Sequence, residues 1–464
     1  MISQSIQNRQ FKVQAFSDVL FENRVQYEQA ISRHNYKFLW TYAANCILGL
    51  FLLTSPYLYN YDSFAMVLSD TVAGTLIILI EYLSFSPKLC FMRWGTAAMA
   101  VWLLFAPLIF WAPRPATFLI DTIVACFAIV FSVLVPGMPG RAGLDLPGPD
   151  IPPGWSYNPS SWIRRWLGIA LSLLGFFIAR YMAAYQLGYI DHAVDPFFGR
   201  SSEKVLTSVV SRSFPISDAG FGSVAYILEA ISGFMGDRAR WRTAPFLVLL
   251  FAVLVLPLGA TSIMLVIMQP VIVGAWCGLC LIAATGMMAS VPLAVHELIA
   301  MGQFLLAAKQ QRRNFWNVFW MGGSITGGGT PDPNRTHYTL AQRYIASVQG
   351  VTIPWMIGVQ LTVGAWLMAR PDLLPADKIS ANCDHILGAV VITAAAIATA
   401  EVTRTARLFN VLVGALLIVA ALAFNLHQPV VLVSDLVCAA LLIPCSIPRG
   451  EIVERYAGWH KFIK

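Results

Sequence analysis

Trp276-Cys277-Gly278-Leu279-Cys280 stands at the mouth of a long apolar run, Leu281–Leu293. A turn ends at Pro270, a few small and branched residues follow, and two cysteines then fall one helical turn apart where a membrane helix begins. The free N–H groups of a first helical turn favour a thiolate, the form that exchanges disulfides. At this spacing the two sulfurs are also close enough to bond each other. The pattern points to redox work; the plainer alternative is two small apolar fillers at i and i+3.

Around this stretch the chain is 57% hydrophobic and only 12% charged. The charges bunch between apolar runs of roughly 18–25 residues, the length that crosses a bilayer as a helix. The expected fold class is therefore all-α: a polytopic integral membrane protein of about twelve transmembrane helices, the first near Phe38–Ser55 and the last near Pro429–Ile447. Lys and Arg concentrate in the N-terminal segment, in alternate loops and in the tail, which accounts for the net charge of +7 and gives no reason to invoke nucleic acid. The positive-inside rule makes that side cytoplasmic. The expectation is a multi-pass plasma or inner-membrane protein with both termini inside and Cys277 and Cys280 opening outward, where disulfides persist. The first 37 residues lack a short apolar core with a cleavage site and read as an amphipathic surface helix around Val13, Phe16, Val19, Leu20 and Val25, not a signal peptide.

The spans repeat. Ser55-Pro56 ends one and Asp70-Thr71-Val72-Ala73-Gly74 opens the next; 51 residues later come Ala106-Pro107 and Asp121-Thr122-Ile123-Val124-Ala125. Near the other end, Asp384-His385-Ile386-Leu387-Gly388 and Asp435-Leu436-Val437-Cys438-Ala439 are again 51 apart, with Arg370-Pro371 standing where Ser55-Pro56 stands in the first copy. One helix pair thus occurs four times. Each Asp is expected at the outer end of its helix as a cap favoured by the helix dipole, with a proton-relay role as the alternative. The duplicated pair resembles the SPW-repeat family, although its triplets read Ser55-Pro56-Tyr57 and Ala106-Pro107-Leu108. That resemblance implies packing or partner binding and no chemistry.

In the middle of the chain, Trp162 to about Glu297 resembles a vitamin K epoxide reductase (VKOR) domain. Beyond the CxxC, the matching stretches are Val205-Leu206-Thr207-Ser208 and Ser217-Asp218-Ala219-Gly220-Phe221-Gly222 followed by Tyr226. The resemblance implies four helices around a quinone, roofed by an outer cap loop. It makes Cys277 and Cys280 the catalytic pair, with Cys280 facing the quinone and Cys277 exchanging with an outside thiol. Asp218 and Ser208 would be the polar groups of the quinone site, Phe221 and Tyr226 its walls. The departures are specific. The cap loop holds no cysteine, the family's relay pair falling near Val194 and at Ser202; a tyrosine common one turn beyond the CxxC falls at Ala284; and no thioredoxin-like domain follows the bundle.

The expected organisation is an amphipathic segment (1–37), a four-helix SPW-like module (38–136), a Pro/Gly linker (137–160) and a VKOR-like bundle (161–300) with cap loop 191–219. A cytoplasmic interfacial linker (301–350), a second duplicated module (351–448) and a tail (449–464) complete it. Gly322–Gly329 reads as a flexible turn, since no Lys-Ser/Thr follows it. Arg180 and Glu229 are expected to pair inside the bundle, Glu81 has no evident partner, and His296-Glu297 are expected as interfacial anchors. The remaining cysteines form no metal set. The function expected is a membrane thiol–quinone oxidoreductase, and the partners expected are membrane lipid, a quinone and a periplasmic or extracytoplasmic thiol protein. The alternative is a catalytically degenerate scaffold or a quinone/lipid-binding subunit.

Overall fold

The computed structural model describes residues 12–16, 24–139, 148–330, 338–374 and 376–463. Twelve helices form its body. They are α1 (Leu39–Leu58), α2 (Phe64–Ser84), α3 (Arg93–Ile109), α4 (Pro115–Ile129), α5 (Trp162–Gln186) and α6 (Asp218–Phe234), then α7 (Pro245–Met268), α8 (Gly278–Gln310), α9 (Trp355–Leu373), α10 (Lys378–Thr399), α11 (Phe409–Phe424) and α12 (Pro429–Ser446). Among the described residues ten helices are long and apolar enough to cross a membrane. The two expected spans outside that set are α6, which has 17 residues, and α9, whose 19 include Arg370 and Asp372.

Each flanking module is built on a glycine crossing. A Cβ on Gly49 of α1 would lie 2.8 Å from the carbonyl oxygen of Gly74 on α2, and one on Gly74 would lie 2.7 Å from that of Gly49. Gly364 of α9 and Gly388 of α10 cross in the same way, at 3.0 and 2.8 Å. Small residues at such points let the two backbones approach and pack without voids. The crossing also fixes register, because Gly74 and Gly388 each stand four residues after an aspartate.

Those aspartates are not caps. Asp70, Asp121, Asp384 and Asp435 are each the seventh residue of their helix and are at most 1% exposed. On α2 the cap is Ser63, whose hydroxyl accepts the Met66 N–H. The repeat keeps its acids inside the module, two in each.

At the opposite end of the first module, Glu81 finds the partner that spacing did not suggest. The Arg93 guanidinium lies 3.2 Å from it, Thr96 and Asn45 donate to it at 2.7 and 2.9 Å, and Arg93 stacks 3.9 Å over the Tyr42 ring.

The central bundle packs α5 along α6 and α8, with α7 against α8 and α6. Gly175 of α5 lets the Tyr226 ring of α6 lie flush, since a Cβ there would come within 2.6 Å of it. Arg180 does not pair with Glu229. It leaves the bundle, donates to Thr122 Oγ1 at 2.7 Å and stacks 4.1 Å over the Phe118 ring of α4. Glu229 instead faces Ser172 and Ser290.

The end of the bundle away from the CxxC is a buried polar seam. Arg240 grips Glu297 with two bonds, 2.6 and 2.7 Å, and Ser160 donates to the same carboxylate at 2.5 Å. His296 is also buried, between the carbonyls of Pro292 and Gly350. Both residues lock the interior where surface anchoring was expected.

Other expectations change here too. Val13–Ala15 is a strand, β1, paired antiparallel with β2, Gly323–Ile325, so the Gly-rich run is a sheet edge and not a loose turn. Among the described residues of the N-terminal segment a helix runs over Arg24–Lys37. Val19 and Leu20 lie outside the described residues. Trp155 and Tyr157 of the Pro/Gly stretch are buried with Tyr456 of the tail, which makes this stretch part of a core and not a spacer. The fourth bundle helix continues to Gln310, ten residues into the segment expected as an interfacial linker.

Removing Arg240 strands a carboxylate that is 3% exposed. Arg240→Ala is expected to destabilise the protein by about 3–5 kcal/mol, read as a fall in the thermal unfolding midpoint in detergent. An unchanged midpoint would show that the seam contributes nothing.

Candidate functional site

The CxxC turn is set by how α7 ends. After Met268 the chain widens into a π turn, Gln269–Val273, and reverses at Gly274, whose φ of +62° is left-handed and suits glycine. Cys277 is then the N-cap of α8, and its sulfur accepts the Cys280 N–H at 3.2 Å. Cys277 and Cys280 are joined in a disulfide, with their Cα atoms 5.3 Å apart.

A helix start leaves backbone N–H groups without helical partners. Here side chains from elsewhere meet three N–H groups at and just before the helix start. Trp276 N–H donates to Ser201 Oγ at 3.1 Å, Cys277 N–H to Gln269 Oε1 at 2.9 Å and Gly278 N–H to Asp195 Oδ2 at 2.7 Å. Gly278 is required at its position, since a Cβ would lie 2.6 Å from Asp195 Oδ1.

Asp195 is the centre of the cap loop. It accepts the N–H groups of Phe197 and Phe198 at 2.8 and 3.2 Å and the hydroxyl of Ser202. Burial pushes its carboxyl up, but the Ser202 hydroxyl and the N–H groups of Phe197, Gly278 and Phe198 outweigh that and hold it below the usual carboxylate range. Ser202 and Cys277 are both fully buried. The position where the resemblance would put a relay cysteine is therefore the anchor of a clamp on the CxxC turn.

The two sulfurs face different surroundings. Cys277 lies under the clamp. Cys280 borders a pocket holding about 850 Å³ of empty space, mouth included, and its sulfur lies 3.6 Å from the Met182 sulfur. The same pocket is lined by Ser208, Asp218, Phe221 and Tyr226. The five sequence-chosen residues Cys280, Ser208, Asp218, Phe221 and Tyr226 thus meet at one cavity, while Cys277 stays behind Cys280.

Their geometry assigns them different work. Asp218 Oδ1 accepts Gln186 Nε2 at 2.5 Å and Ser211 Oγ at 2.9 Å, so the carboxyl serves as an acceptor that ties the cap loop to α5. Capping of α6 falls to Ser217. Ser208 Oγ accepts the Ser211 N–H at 3.3 Å, and its own hydrogen has no acceptor among the described residues. Tyr226 donates to the Ala283 carbonyl at 3.1 Å and presents its ring as a wall. Phe221 is 43% exposed and leans on Phe105 of α3, with ring centres 6.1 Å apart.

Sequence reading missed Asp195, Gln186 and Gln269. Asp195-Pro196 carries a local signal, an Asx turn in which the side chain bonds the N–H two residues on. The two glutamines carry none: Gln186 bonds groups 20 or more residues on, and Gln269 meets Cys277 only through the turn between α7 and α8. Cys383 remains a free thiol on α10, and no group of three or more His, Cys, Asp or Glu suited to a metal occurs among the described residues.

Comparison with curated proteins and with solved structures finds no match. Residues 166–295 match the model described as the vitamin K epoxide reductase family, and residues 39–135 match the SPW repeat domain. The middle third of the chain is thus similar to the vitamin K epoxide reductase family, and the module that precedes it to the SPW repeat domain.

Proposed function

We propose that the central bundle is a thiol–quinone oxidoreductase acting through Cys277 and Cys280. A family domain of this type supports a membrane oxidoreductase function. The observation that carries the finer reading is the pocket on which Cys280, Ser208, Asp218, Phe221 and Tyr226 converge. Its lining is mostly apolar with a few polar groups, the usual character of a small-molecule site. In the reduced state the pair supplies two electrons and two protons as its S–S bond closes, and a quinone substrate takes both and leaves as quinol. Phe221 and Tyr226 hold the ring, and Ser208 has a hydroxyl hydrogen to offer a quinone oxygen. Asp218 acts on Gln186 and Ser211 and so positions the roof.

Ala284 and Val266 border both this pocket and a larger apolar cavity of about 2170 Å³ of empty space between α7–α8 and α9–α10. An apolar quinone tail would pass across this shared border, where the small side chain of Ala284 obstructs least. The CxxC face would be the non-cytoplasmic one, given the basic residues at the other face. A partner dithiol attacks Cys277, releases Cys280 as thiolate, and departs oxidised as the Cys277 thiol re-forms.

The second reading, a scaffold or quinone-binding subunit without turnover, is favoured by one observation: Cys277 is fully buried, beside the Gly278 N–H that Asp195 holds. Thiol alkylation in membranes discriminates the two. A pair that stays reduced whatever the state of the quinone pool supports the scaffold.

Replacing either cysteine with alanine is expected to abolish thiol-dependent quinone reduction by the purified protein; equal rates in wild type and double variant sink the redox reading. Asp195→Ala is expected to unclamp the cap, so that in protein first reduced, Cys277 is alkylated at least tenfold faster than in wild type. The same release follows acidification. The folded-state pKa of Asp195 is depressed, so its stabilisation is complete above about pH 4 and is lost as pH falls through the lower folded value. Alkylation that is equally fast in wild type and variant removes the clamp from the account. Ala284→Trp is expected to raise KM for a long-tailed quinone and leave a tail-less analogue unaffected. If both respond alike, the tail does not pass there.

A further inference from the structure

The two flanking modules bury the same pair of acids and neutralise them differently. In the second module Arg370 of α9 forms an ion pair with Asp384, and its Nε lies 3.8 Å from Asp435. Asn425 donates to Asp435 at 2.7 Å. Two carboxylates and one guanidinium leave this cluster with a single negative charge.

The glycine crossings place the first module in the same register. Arg370 stands six residues after Gly364, and six residues after Gly49 stands Ser55. Ser55 is fully buried, as Arg370 is, and its hydroxyl is spent on the Phe51 carbonyl at 2.7 Å. The corresponding residue of the neighbouring pair is Ala106. No cation reaches Asp70 and Asp121 from α1 or α3.

Asp70 and Asp121 are both 0% exposed, and all four carboxyl oxygens are without a hydrogen-bond partner when both are taken as acceptors. The two carboxyls nevertheless lie within hydrogen-bonding reach of each other, with the Tyr61 hydroxyl beside Asp70 and Thr117 beside Tyr61. Tyr61, on the connection between α1 and α2, is the titratable group beside Asp70; Tyr189, just past α5, lies within electrostatic reach of Asp121, and the Arg180 guanidinium of α5 is spent on Thr122 and Phe118. Ser55 from α1, Ala106 from α3 and Thr117 from α4 do not titrate, and the Arg114–Asp62 ion pair at the helix ends is closed on itself at 2.6 Å. Two like charges this close in an apolar interior cannot both persist. One proton between them converts two orphan acceptors into a hydrogen bond.

We propose that Asp70 and Asp121 form a site for one exchangeable proton, which does in the first module what the Arg370 guanidinium does in the second. The pair with one proton carries a single negative charge, the same as the Arg370 cluster. It lies about 9 Å along its helices at 1.5 Å per residue, counted from the CxxC face, so exchange runs to the water on that side. The first module thereby has a charge state that follows proton supply, where the second has a fixed one. This site is independent of the redox reading of Cys277 and Cys280.

Infrared spectra of the full chain in lipid, read at the C=O stretch of protonated carboxyls, test it. Ser55→Arg is expected to remove one carboxyl's worth of intensity, and Arg370→Ser to add one. The double variant Asp70→Asn/Asp121→Asn is expected to lose the same band as Ser55→Arg. Should Ser55→Arg fail to fold, the asparagine pair and Arg370→Ser still decide. A band unchanged in the asparagine double variant overturns the proposal. So does a band that sodium abolishes at constant pH, which would make the site one for a metal cation.

Discussion

The start of α8 is the constraint on which the functional part of the structure depends. A helix that begins inside an apolar body must find acceptors for its first N–H groups, because unsatisfied backbone donors there are costly. Ser201, Gln269 and Asp195 supply them for Trp276, Cys277 and Gly278, and the Cys277 sulfur itself accepts from Cys280. Two of the three acceptors come from the cap loop and one from the end of α7. The cap loop, the α7 turn and the disulfide are therefore one mechanical unit. None can shift without exposing backbone donors of the others, which is why Cys280 is aimed at the pocket and Cys277 away from it.

The membrane helices were legible because apolar run length is a direct physical requirement of spanning a bilayer. The pocket was legible through a family likeness, and its chosen residues do converge. What failed was whatever depended on depth or on a distant partner. Asp70 looked like the residue that opens a helix because Asp-Thr-Val-Ala-Gly resembles a start. The true start is at Phe64, one and a half turns earlier, where Ser63 makes the cap. Arg180 and Glu229 looked like a pair because both lie within bundle helices. Spacing cannot say that Arg180 points out of the bundle toward Thr122. Gly322–Gly329 looked loose because glycine is permissive, yet Gly323 must be glycine for β2 to pair: a Cβ there would meet the Gln14 carbonyl at 2.4 Å, a contact that is a prohibition and not a distance to keep.

The flanking modules also take part in the site. Phe221 has the pocket beside it and Phe105 of the first module in ring contact. A Cβ on Gly220 would run into Leu108, so α6 and α3 are in close contact there. On the other flank the Trp276 indole donates to Asp372 at 2.6 Å and packs against His385, 5.6 Å between ring centres. The residue that precedes the CxxC is thus held by the second module, and the wall of the pocket is propped by the first. Each repeat module is a support for one side of the bundle's CxxC end.

On the redox reading, this support decides how electrons enter. Four groups donate to Asp195, and hydrogen bonds to a charged group are worth about 1.5–3 kcal/mol each. They are not additive, but even a net cost of about 3 kcal/mol would keep the cap open in roughly one molecule in a hundred. Where a cysteine pair in the cap would carry electrons across a closed loop, Asp195 and Ser202 can only hold that loop shut. The thiol partner must then bring its own opening energy, by binding the loop in its lifted form more tightly than in its clamped one. A small soluble thiol has too little contact surface to do so, whereas a protein that grips the exposed Phe197 and Phe198 rings has enough. On that reading, a cap loop that holds no cysteine would select its reductant by shape and not by potential.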